Sequence, residues 1–289
     1  MVVTGEPLPN DATAAPVARE KESALVGWLR GRGSVAIGFS GGVDSAYLAC
    51  VAVDALGGEN VLAIIGKSAS YPAAQWAAAR GVADRFAIPV LEVDTHEMDD
   101  PRYAANPSNR CYFCKSELWT LLVPIAKARG IATVIDGTNA DDLTGHRPGA
   151  LAAQERAVES PLAIVGLTKA EIRLLSQQRG IPTWAQPSSP CLSSRIPYGT
   201  AVTAARLGEV ERAEAALRGL GISGDLRVRY HGDLARVEIA PDELDSWLAP
   251  DASESVARAV RGAGFARVAI DLRGFRSGSL NVLTGVRAS

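Results

Sequence analysis

The sequence predicts an α/β fold in which a first domain with a parallel sheet is followed by a smaller α+β domain. From residue 34 to residue 182, short apolar runs alternate with helical segments. Strands that are apolar along their whole length belong to parallel sheets whose two faces are covered by helices. After residue 203 the order becomes helix, strand, strand, helix, strand. A chain of 289 residues, 47% of them hydrophobic, is long enough for about two domains.

The first domain is expected to contain four strands and four helices. The strands are predicted at 35–39, 61–65, 90–93 and 133–136, and the first three helices at 44–56, 72–86 and 115–129. Pro124 predicts a bend in the third helix. A fourth helix begins with the capping box of Thr168 and Glu171 and stops at Gly180. The irregular segment 183–200 contains three prolines, which indicates a domain junction or a functional loop.

The second domain is expected to begin with a long charged helix at 204–220. Strands are predicted at 226–230, 235–239 and 266–272, and helices from Pro241 and at 253–264. The chain therefore divides into a tail (1–22), a first domain (23–200) and a small domain for substrate binding or oligomerisation (201–289). The tail has neither a basic start nor an apolar segment, so we expect it to be mobile rather than a signal peptide.

Charge and composition exclude several classes of protein. The net charge of −2 gives no overall attraction to nucleic acid, so no nucleic-acid partner is expected. No apolar run approaches the ~20 residues that cross a membrane. Four cysteines in a chain without a leader favour metal binding or catalysis over disulfides, which predicts a cytoplasmic protein.

A small-residue loop with the sequence SGGVDS lies between the first strand and the first helix. Two glycines allow the backbone to approach a ligand closely, and the N–H groups at the start of the helix attract an anion. The P-loop and dinucleotide-binding patterns are both absent. The loop therefore predicts a phosphate-binding site at the carboxyl end of a strand. The residues expected to bind the phosphate are Ser40, Gly41, Gly42, Asp44 and Ser45.

This loop resembles the pyrophosphate loop, or PP loop, of the ATP pyrophosphatases, which have an adenine nucleotide alpha-hydrolase-like fold. The resemblance implies that ATP is the ligand and is split to AMP and pyrophosphate while an acceptor oxygen is adenylated. It also implies that Asp44 holds Mg²⁺ on the phosphates.

The cysteines form a second candidate site. Cys111 and Cys114 make a C-x-x-C at a predicted helix start, where the helix dipole favours thiolates. Cys191 follows in the irregular loop, whereas Cys50 lies among apolar residues and is interpreted as a core residue. Three thiolates can anchor an iron–sulfur cluster, or zinc with a fourth ligand such as His146. A dithiol redox pair is a third alternative.

Several longer motifs narrow the resemblance to one family. They are RCYFCK (110–115), IDGTNADD (135–142), RPG (147–149), SPCLSSRIPYG (189–199), RVRYH (227–231) and DLRGFRSGSLN (271–281). Together they resemble the LarE family, ATP-dependent sulfur transferases of nickel-pincer nucleotide biosynthesis. The resemblance implies that carboxylates of pyridinium-3,5-biscarboxylic acid mononucleotide are adenylated and then converted to thiocarboxylates.

The LarE family uses two sulfur strategies, which both remain open here. In one, a lone cysteine in the PCL segment is sacrificed and becomes dehydroalanine. In the other, that cysteine and a C-x-x-C carry a [4Fe-4S] cluster whose open iron holds an extra sulfide. Because Cys111, Cys114 and Cys191 are all present, the resemblance favours the cluster. Cys191 is the expected sulfur residue in either case, and Arg195 is expected either to give its thiolate cationic surroundings or to be a surface arginine.

The resemblance also assigns nucleotide and substrate residues. Gly137, Thr138 and Asn139 are expected to line the ATP site, together with Lys67 after the second strand. Three further side chains share one strand face by their period of two and suit a mononucleotide phosphate, namely Arg227, Arg229 and His231. The alternative for the first group is an ordinary polar turn, and for the second a solvated edge-strand face.

Three other functions remain open from the sequence alone. A tRNA thiolase of the same superfamily would need a basic surface, yet acids outnumber bases 32 to 30. An amidating enzyme would leave the cysteines without a purpose, and a nucleotide sensor or scaffold would not need a complete SGGVDS loop. The family resemblance further implies a homo-oligomer, such as a hexamer, and a sulfide or other sulfur donor.

Overall fold

A computed structural model describes residues 11–143, 148–187 and 189–276, with the backbone alone for residues 11–14. The helices, in chain order, are α1 (Asp11–Arg32), α2 (Val43–Leu56), α3 (Ala73–Arg85), α4 (Pro101–Ala104), α5 (Arg110–Ala128), α6 (Pro148–Glu155), α7 (Pro161–Ile164), α8 (Lys169–Gln178), α9 (Ala204–Gly219), α10 (Pro241–Leu248) and α11 (Pro250–Gly262). The strands are β1 (Val35–Gly38), β2 (Val61–Lys67), β3 (Val90–Asp94), β4 (Thr133–Ile135), β5 (Leu226–His231), β6 (Leu234–Ile239) and β7 (Arg267–Ile270). These elements confirm the predicted fold class.

The chain divides into two compact units. Among the described residues, those up to 97 and from 109 to 189 form the first, and residues 98–108 and those from 190 onward form the second. This division differs from the predicted boundary at residue 200. The residues around that boundary bond to residues 98–108, which interrupt the first unit in the sequence. The N–H of Gly199 donates to the carbonyl of Asn106 at 2.9 Å, and the N–H of Val202 donates to that of Ala104 at 2.8 Å.

The first unit is built on four parallel strands in the order β3-β2-β1-β4. β1 pairs with β2 from Val35 opposite Val61, and with β4 from Val35 opposite Thr133. Because all four strands run in the same direction, the segments after β1, β2 and β4 meet at one edge of the sheet. Ligands of open α/β sheets bind at this carboxyl edge.

Helices cover both faces of this sheet. Val35 and Ile37 of β1 are buried in the core that also contains apolar side chains of α1, α2 and α8. Ala36 faces the other layer, where it shares a core with Trp119 and Leu122 of α5. Successive residues of one strand therefore enter opposite layers, which explains why the strands are apolar throughout.

The N-terminal helix differs from the predicted mobile tail. Residues 11–22 form the first half of α1, while residues 1–10 lie outside the described part of the chain. Ala18 and Leu25 of this helix are fully buried in the core of the first unit, and Lys21 donates to Glu171 at 2.7 Å. Burial of an apolar helix face supplies the stability that local propensity does not provide. Pro16 and the polar composition of this segment conceal the helix in the sequence.

The second unit contains a three-stranded sheet in the order β5-β6-β7, with β5 and β6 antiparallel and β6 and β7 parallel. α9 packs against β5 and α11. The buried side chains of this second unit include Leu207, Val228 and Val256. Within the described ranges, no helix has both the length and the apolar character needed to cross a membrane.

Candidate functional site

The PP loop, residues 40–45, connects β1 to α2 at the carboxyl edge of the sheet. Gly41 has a φ of +69°, and a Cβ at this position would lie 2.6 Å from the Cα of Ala79 in α3. Glycine is required here on both counts, because an L side chain disfavours positive φ and the neighbouring backbone leaves no space. Asp44 lies in the first turn of α2, where the helix dipole favours negative charge.

Side chains from the segment after β2 hold the PP loop in place. Tyr71 Oη and Gln75 Nε2 each donate to the carbonyl oxygen of Ser40 at 2.9 Å. Burial raises the pKa of the Tyr71 phenol, so it remains a donor at neutral pH. Ser45 Oγ donates to the carbonyl of Gly42 at 3.2 Å and lies 3.2 Å from Ser40 Oγ. The loop is therefore ordered by its own neighbours.

Asp44 contacts two side chains from distant parts of the first unit. Lys169 Nζ lies 2.5 Å from Asp44 Oδ2, and Asn139 Nδ2 donates to Asp44 Oδ1 at 3.3 Å. Both members of the ion pair are partly exposed, Asp44 by 19% and Lys169 by 31%. A partly exposed carboxylate beside an amide fits Mg²⁺ in ligand type, and the ammonium shows that this position attracts a cation.

Lys169 is positioned by the start of α8. Thr168 and Glu171 form the predicted capping box, in which Thr168 N–H donates to Glu171 Oε2 at 2.8 Å. The N–H of Lys169 itself donates to Asp141 Oδ2 at 2.7 Å. The helix start is thus bonded to the loop after β4.

The segment after β4 closes the other side of the PP loop. A Cβ on Gly137 would lie 3.0 Å from the backbone nitrogen of Ser45, so this glycine allows close approach of the two segments. Thr138 Oγ1 donates to Asp136 Oδ2 at 3.0 Å. Asn139 is buried and its Oδ1 accepts from the Asp141 N–H at 2.9 Å. The predicted nucleotide residues 137–139 therefore lie beside the PP loop.

Lys67, at the end of β2, contacts one side chain of β3 and one of α3. Its Nζ lies 3.1 Å from Glu92 Oε2 and 5.7 Å from the ring centre of Trp76. Trp76 Nε1 also donates to Glu92 at 2.9 Å. Lys67 is 42% exposed, so its side chain has room to exchange this carboxylate for a phosphate.

The cysteines differ in environment. Cys50 is buried in α2, and burial followed by the nearby Asp54 raises its pKa to about 12, which agrees with a core role. Cys111 and Cys114 lie in the first turn of α5, three positions apart and so on one helix face; Cys111 is exposed and Cys114 half-buried. They belong to the first unit and the half-buried Cys191 to the second.

The four cysteines all lie in the described ranges, and none forms a disulfide. Two partly exposed thiols on one helix turn suit a metal or cluster in donor type. In the described part of the chain, no group of three or more His, Cys, Asp or Glu side chains is assembled that could hold a metal ion. The cluster stays a prediction, and His146, the suggested zinc ligand, lies outside the described residues.

In the second unit, Cys191 precedes a short 3-10 turn, Leu192–Arg195. Arg195 is 2% exposed and makes a two-fold ion pair with Glu214 of α9, with both N···O distances at 2.9 Å. Its Nη1 donates to the carbonyls of Pro190 at 2.6 Å and Cys191 at 3.2 Å. The surface-arginine alternative is wrong for Arg195. Its charge is compensated by Glu214, and it holds the backbone that carries the thiol.

Two of the residues predicted to bind the mononucleotide phosphate are buried arginines of β5. Arg227 and Arg229 are each 5% exposed, so the solvated-face alternative is wrong for them. Arg229 donates through Nε to Glu238 at 2.9 Å and through Nη1 to the carbonyl of Ser194 at 3.0 Å, which joins β5 to the Cys191 segment. Burial, followed by the charge of Arg195, lowers the pKa of Arg227 to about 10, so it remains cationic at neutral pH.

His231 differs from these arginines in charge. Burial and then the charge of Arg236 lower the pKa of His231, which is therefore neutral at pH 7. A neutral imidazole donates or accepts a hydrogen bond but does not add positive charge. The cationic pair of β5 is thus formed by the two arginines alone.

Comparisons with known proteins agree with this geometry. The NAD synthase family model matches residues 29–108, which include the PP loop. An uncharacterised protein of Synechocystis is 45% identical over 249 residues, 86% of this chain and 92% of that protein. The pyridinium-3,5-bisthiocarboxylic acid mononucleotide synthase of Lactiplantibacillus plantarum is 33% identical over 261 residues, 90% of this chain and 94% of that protein. The chain belongs to the LarE family. Members of this LarE family are ATP-dependent sulfur transferases, and this chain is an enzyme of that class.

Several contacts of this LarE-family site were missed in the sequence. Lys169 lies inside the predicted capping box of Thr168 and Glu171, which predicts its place in the first turn of a helix but not its contact with Asp44. Tyr71 and Gln75 carry no local signal, since each acts through a residue that is distant in the sequence. A charged residue on the apolar-facing side of α9 was the available hint for Glu214.

Proposed function

We propose that this enzyme adenylates the carboxylates of pyridinium-3,5-biscarboxylic acid mononucleotide and converts them to thiocarboxylates in nickel-pincer nucleotide cofactor biosynthesis. The observation that carries the proposal is the PP loop at the carboxyl edge of the sheet, with Asp44 between Lys169 and Asn139. The choice of substrate rests on the name of the L. plantarum relative, which describes the bisthiocarboxylic product.

Adenylation solves a chemical difficulty. A carboxylate is a poor electrophile because its oxygen is a poor leaving group, whereas AMP leaves readily from an acyl adenylate. In the proposed reaction, a substrate carboxylate oxygen attacks the α-phosphorus of ATP and pyrophosphate leaves. The N–H groups of the PP loop and of the α2 N-terminus bind the phosphates, which orients them for this displacement.

The negative charge of the ATP phosphates would be neutralised by groups at and around Asp44. Asp44 would hold the Mg²⁺ that accompanies ATP, and that ion supplies neutralisation of the phosphate charge when it is bound. Lys169 would exchange its carboxylate partner for a phosphate oxygen as the nucleotide enters. Residues 137–139 and Lys67 would border the nucleotide, because they follow the strands on either side of β1.

Sulfur transfer is assigned to Cys191. In the sacrificial form, the Cys191 thiolate attacks the acyl adenylate carbon and AMP leaves, which gives a thioester. Removal of the Cys191 Cα proton then breaks the Cβ–S bond and releases the thiocarboxylate, leaving dehydroalanine. Arg195 acts in this proposal as a positioning residue, since its guanidinium holds the Cys191 carbonyl.

In the form that we favour, Cys191 serves as a ligand with Cys111 and Cys114. These three thiolates would hold a [4Fe-4S] cluster, which supplies an iron site for an additional sulfide when it is bound. The C-x-x-C contributes two thiols on one turn of α5. An external sulfide donor and a homo-oligomeric assembly remain parts of the proposal that rest on the family resemblance.

The mononucleotide phosphate is assigned to the arginines of β5. Arg227 is a buried cation whose guanidinium carbon lies 4.9 Å from the ring centre of Phe275. Arg229 bonds the Cys191 segment through Ser194, so phosphate binding at β5 would bring the substrate close to that segment. His231, being neutral, would contribute a hydrogen bond.

Anaerobic turnover with the pyridinium dicarboxylate mononucleotide, Mg²⁺ and ATP tests the function. We expect release of AMP and pyrophosphate, together with a product whose mass corresponds to oxygen replaced by sulfur. Cys191→Ala should bind ATP but yield no thiocarboxylate, whereas Cys50→Ala, a matched control in the core, should keep wild-type activity. Absence of AMP release from the wild-type enzyme, or normal product from Cys191→Ala, would refute the proposal.

The same preparation separates the two sulfur strategies. With the cluster, the protein contains iron and a broad visible absorbance that Cys111→Ala and Cys114→Ala both remove. Without it, colourless iron-free protein turns over once and its intact mass decreases by the mass of H₂S at Cys191. Thiolation of tRNA instead of the mononucleotide would favour the rival thiolase function.

A further inference from the structure

Residues 98–108 leave the first domain and belong to the second unit. Within this insertion, Asp100 Oδ1 accepts from the Arg102 N–H at 2.8 Å and so caps the short helix α4. The proposed function assigns no role to this insertion. Several of its hydrogen bonds reach one segment, which we call the Cys191 loop, residues 190–202.

Asn106 is the main attachment point. It is fully buried with a φ of +55°, a conformation that asparagine adopts more readily than most residues. Its Nδ2 donates to the carbonyls of Pro197 at 2.8 Å and Thr200 at 2.9 Å, with a longer contact of 3.3 Å to that of Ile196. Its own carbonyl accepts from Gly199. One side chain therefore satisfies several carbonyl groups of a segment with neither helical nor strand pairing.

Tyr103 makes a second attachment closer to the thiol. Its hydroxyl lies 2.6 Å from Ser193 Oγ, and both side chains are at most 1% exposed. Ser193 is two residues after Cys191 and lies in the 3-10 turn Leu192–Arg195, which Cys191 precedes. A buried hydroxyl pair of this kind is costly to break, because burial keeps out the water that would replace the lost partner.

The Cys191 loop is thus held from two directions. Arg195 and Glu214 fix the carbonyls of Pro190 and Cys191, while Tyr103 and Asn106 fix the residues that follow the thiol. These contacts hold the residues on both sides of Cys191, and none of them uses its sulfur atom. This arrangement restrains the backbone, while the half-buried thiol of Cys191 remains able to react.

We infer that Tyr103 and Asn106 are positioning residues for the sulfur atom of Cys191. The inference rests on the proposed role of Cys191 in sulfur transfer. A reacting atom displaced by ~1 Å can lose ~100-fold in rate, because attack requires close contact in the correct direction. By tying the loop to α4 and the residues after it, the insertion restricts the positions that this sulfur can occupy.

The test uses Tyr103→Phe, Ser193→Ala and their double variant in the full-length enzyme. We expect faster hydrogen exchange at residues 190–202, unchanged exchange in the PP loop, and a sulfur-transfer kcat reduced ~10-fold with an unchanged KM for ATP. The double variant should lower kcat little further than either single variant, because each single variant already lacks this bond. Asn106→Asp keeps the size and the positive φ but removes both N–H donors, and should have a larger effect.

A destabilised control separates positioning from general loss of stability. Val256→Ala shortens a fully buried side chain in α11 of the same unit. At equal loss of melting temperature, it should leave kcat and the exchange of residues 190–202 near wild type. The inference is overturned if Tyr103→Phe leaves kcat unchanged, or lowers it only as much as Val256→Ala does. Hydrogen exchange needs no turnover, so inactivity of the wild-type enzyme would refute the proposed function while the contacts of the loop are still measured.

Discussion

Lys169 Nζ and Asp44 Oδ2 lie 2.5 Å apart, although the two residues are separated by 125 positions in the sequence. The pair joins the first turns of α8 and α2 at the carboxyl edge of the sheet. An ammonium group therefore neutralises the carboxylate that is proposed to hold Mg²⁺ before a nucleotide is present. A divalent cation then competes with this lysine for Asp44, and binding of the cation releases the lysine.

Lys169→Met should alter metal and nucleotide binding in opposite directions. Without the competing ammonium, the nucleotide-free protein should bind Mn²⁺, a spectroscopic probe for Mg²⁺, ~10-fold more tightly. The KM for ATP should rise ~10-fold because a charged phosphate ligand is lost. Paramagnetic resonance of Mn²⁺ and steady-state kinetics measure the two effects.

Lys21→Met is the matched control, since Lys21 makes a comparable ion pair with Glu171 instead. It should lower stability without tightening Mn²⁺ binding. An unchanged or weakened Mn²⁺ affinity in Lys169→Met would contradict the competition between lysine and metal.

Gly41→Ala should disrupt the PP loop. The positive φ and the 2.6 Å approach of a Cβ to the Ala79 backbone predict a loss of ~2–4 kcal/mol in the free energy of unfolding. ATP binding should be lost with it, as measured by calorimetry. Gly81→Ala is the control, because Gly81 is exposed in α3 and its Cβ would meet nothing within 4 Å. That change should stabilise the protein by ~0.5–1 kcal/mol.

The ion pair of Arg195 and Glu214 should contribute to both stability and sulfur transfer. Arg195→Ala leaves Glu214 without this cation and removes the guanidinium donor from the carbonyls of Pro190 and Cys191, which predicts a loss of ~3 kcal/mol in unfolding free energy. Arg195→Lys should recover only part of this, because an ammonium cannot bond both carboxylate oxygens in the same way. Urea denaturation of Arg195→Ala, Glu214→Ala and their double variant gives the coupling energy, and strict additivity would argue against the pair.

His231 should make the enzyme less stable in mild acid. The pKa of His231 in the folded protein lies below the ordinary value of 6.5, mainly because of burial and then because of Arg236, with Glu238 opposing them. The unfolded chain takes up a proton that the folded protein resists, so the unfolding free energy falls as pH drops below ~6.5. Its contribution is fully present above that pH.

Denaturation midpoints between about pH 7.5 and pH 5.5 test this sign. His231→Gln should remove part of the decrease in stability, whereas His96→Gln controls for the loss of a histidine at another site. A wild-type protein that gains stability on acidification through the histidine itself, with the gain abolished in His231→Gln, would reverse the expected direction.

Much of the fold follows from local patterns. Apolar runs predicted all four parallel strands, and the SGGVDS segment predicted the loop between β1 and α2, because strand periodicity and turn chemistry depend on neighbouring residues. The C-x-x-C was expected at a helix start, and α5 indeed begins at Arg110, five residues before the helix predicted at 115–129. The roles of Cys111, Cys114 and Cys191 stay predictions until they are measured.

The amino-acid sequence by itself determined the fold class and the PP loop, and it predicted which side chains react. Only the tertiary structure decided that Lys169 meets Asp44, that Arg195 is buried on Glu214, and that residues 98–108 hold the Cys191 loop. The physical reason is the range of the interactions. Helices, strands and turns are set by residues a few positions apart, whereas an ion pair or a buried hydroxyl pair forms only when packing brings distant segments into contact.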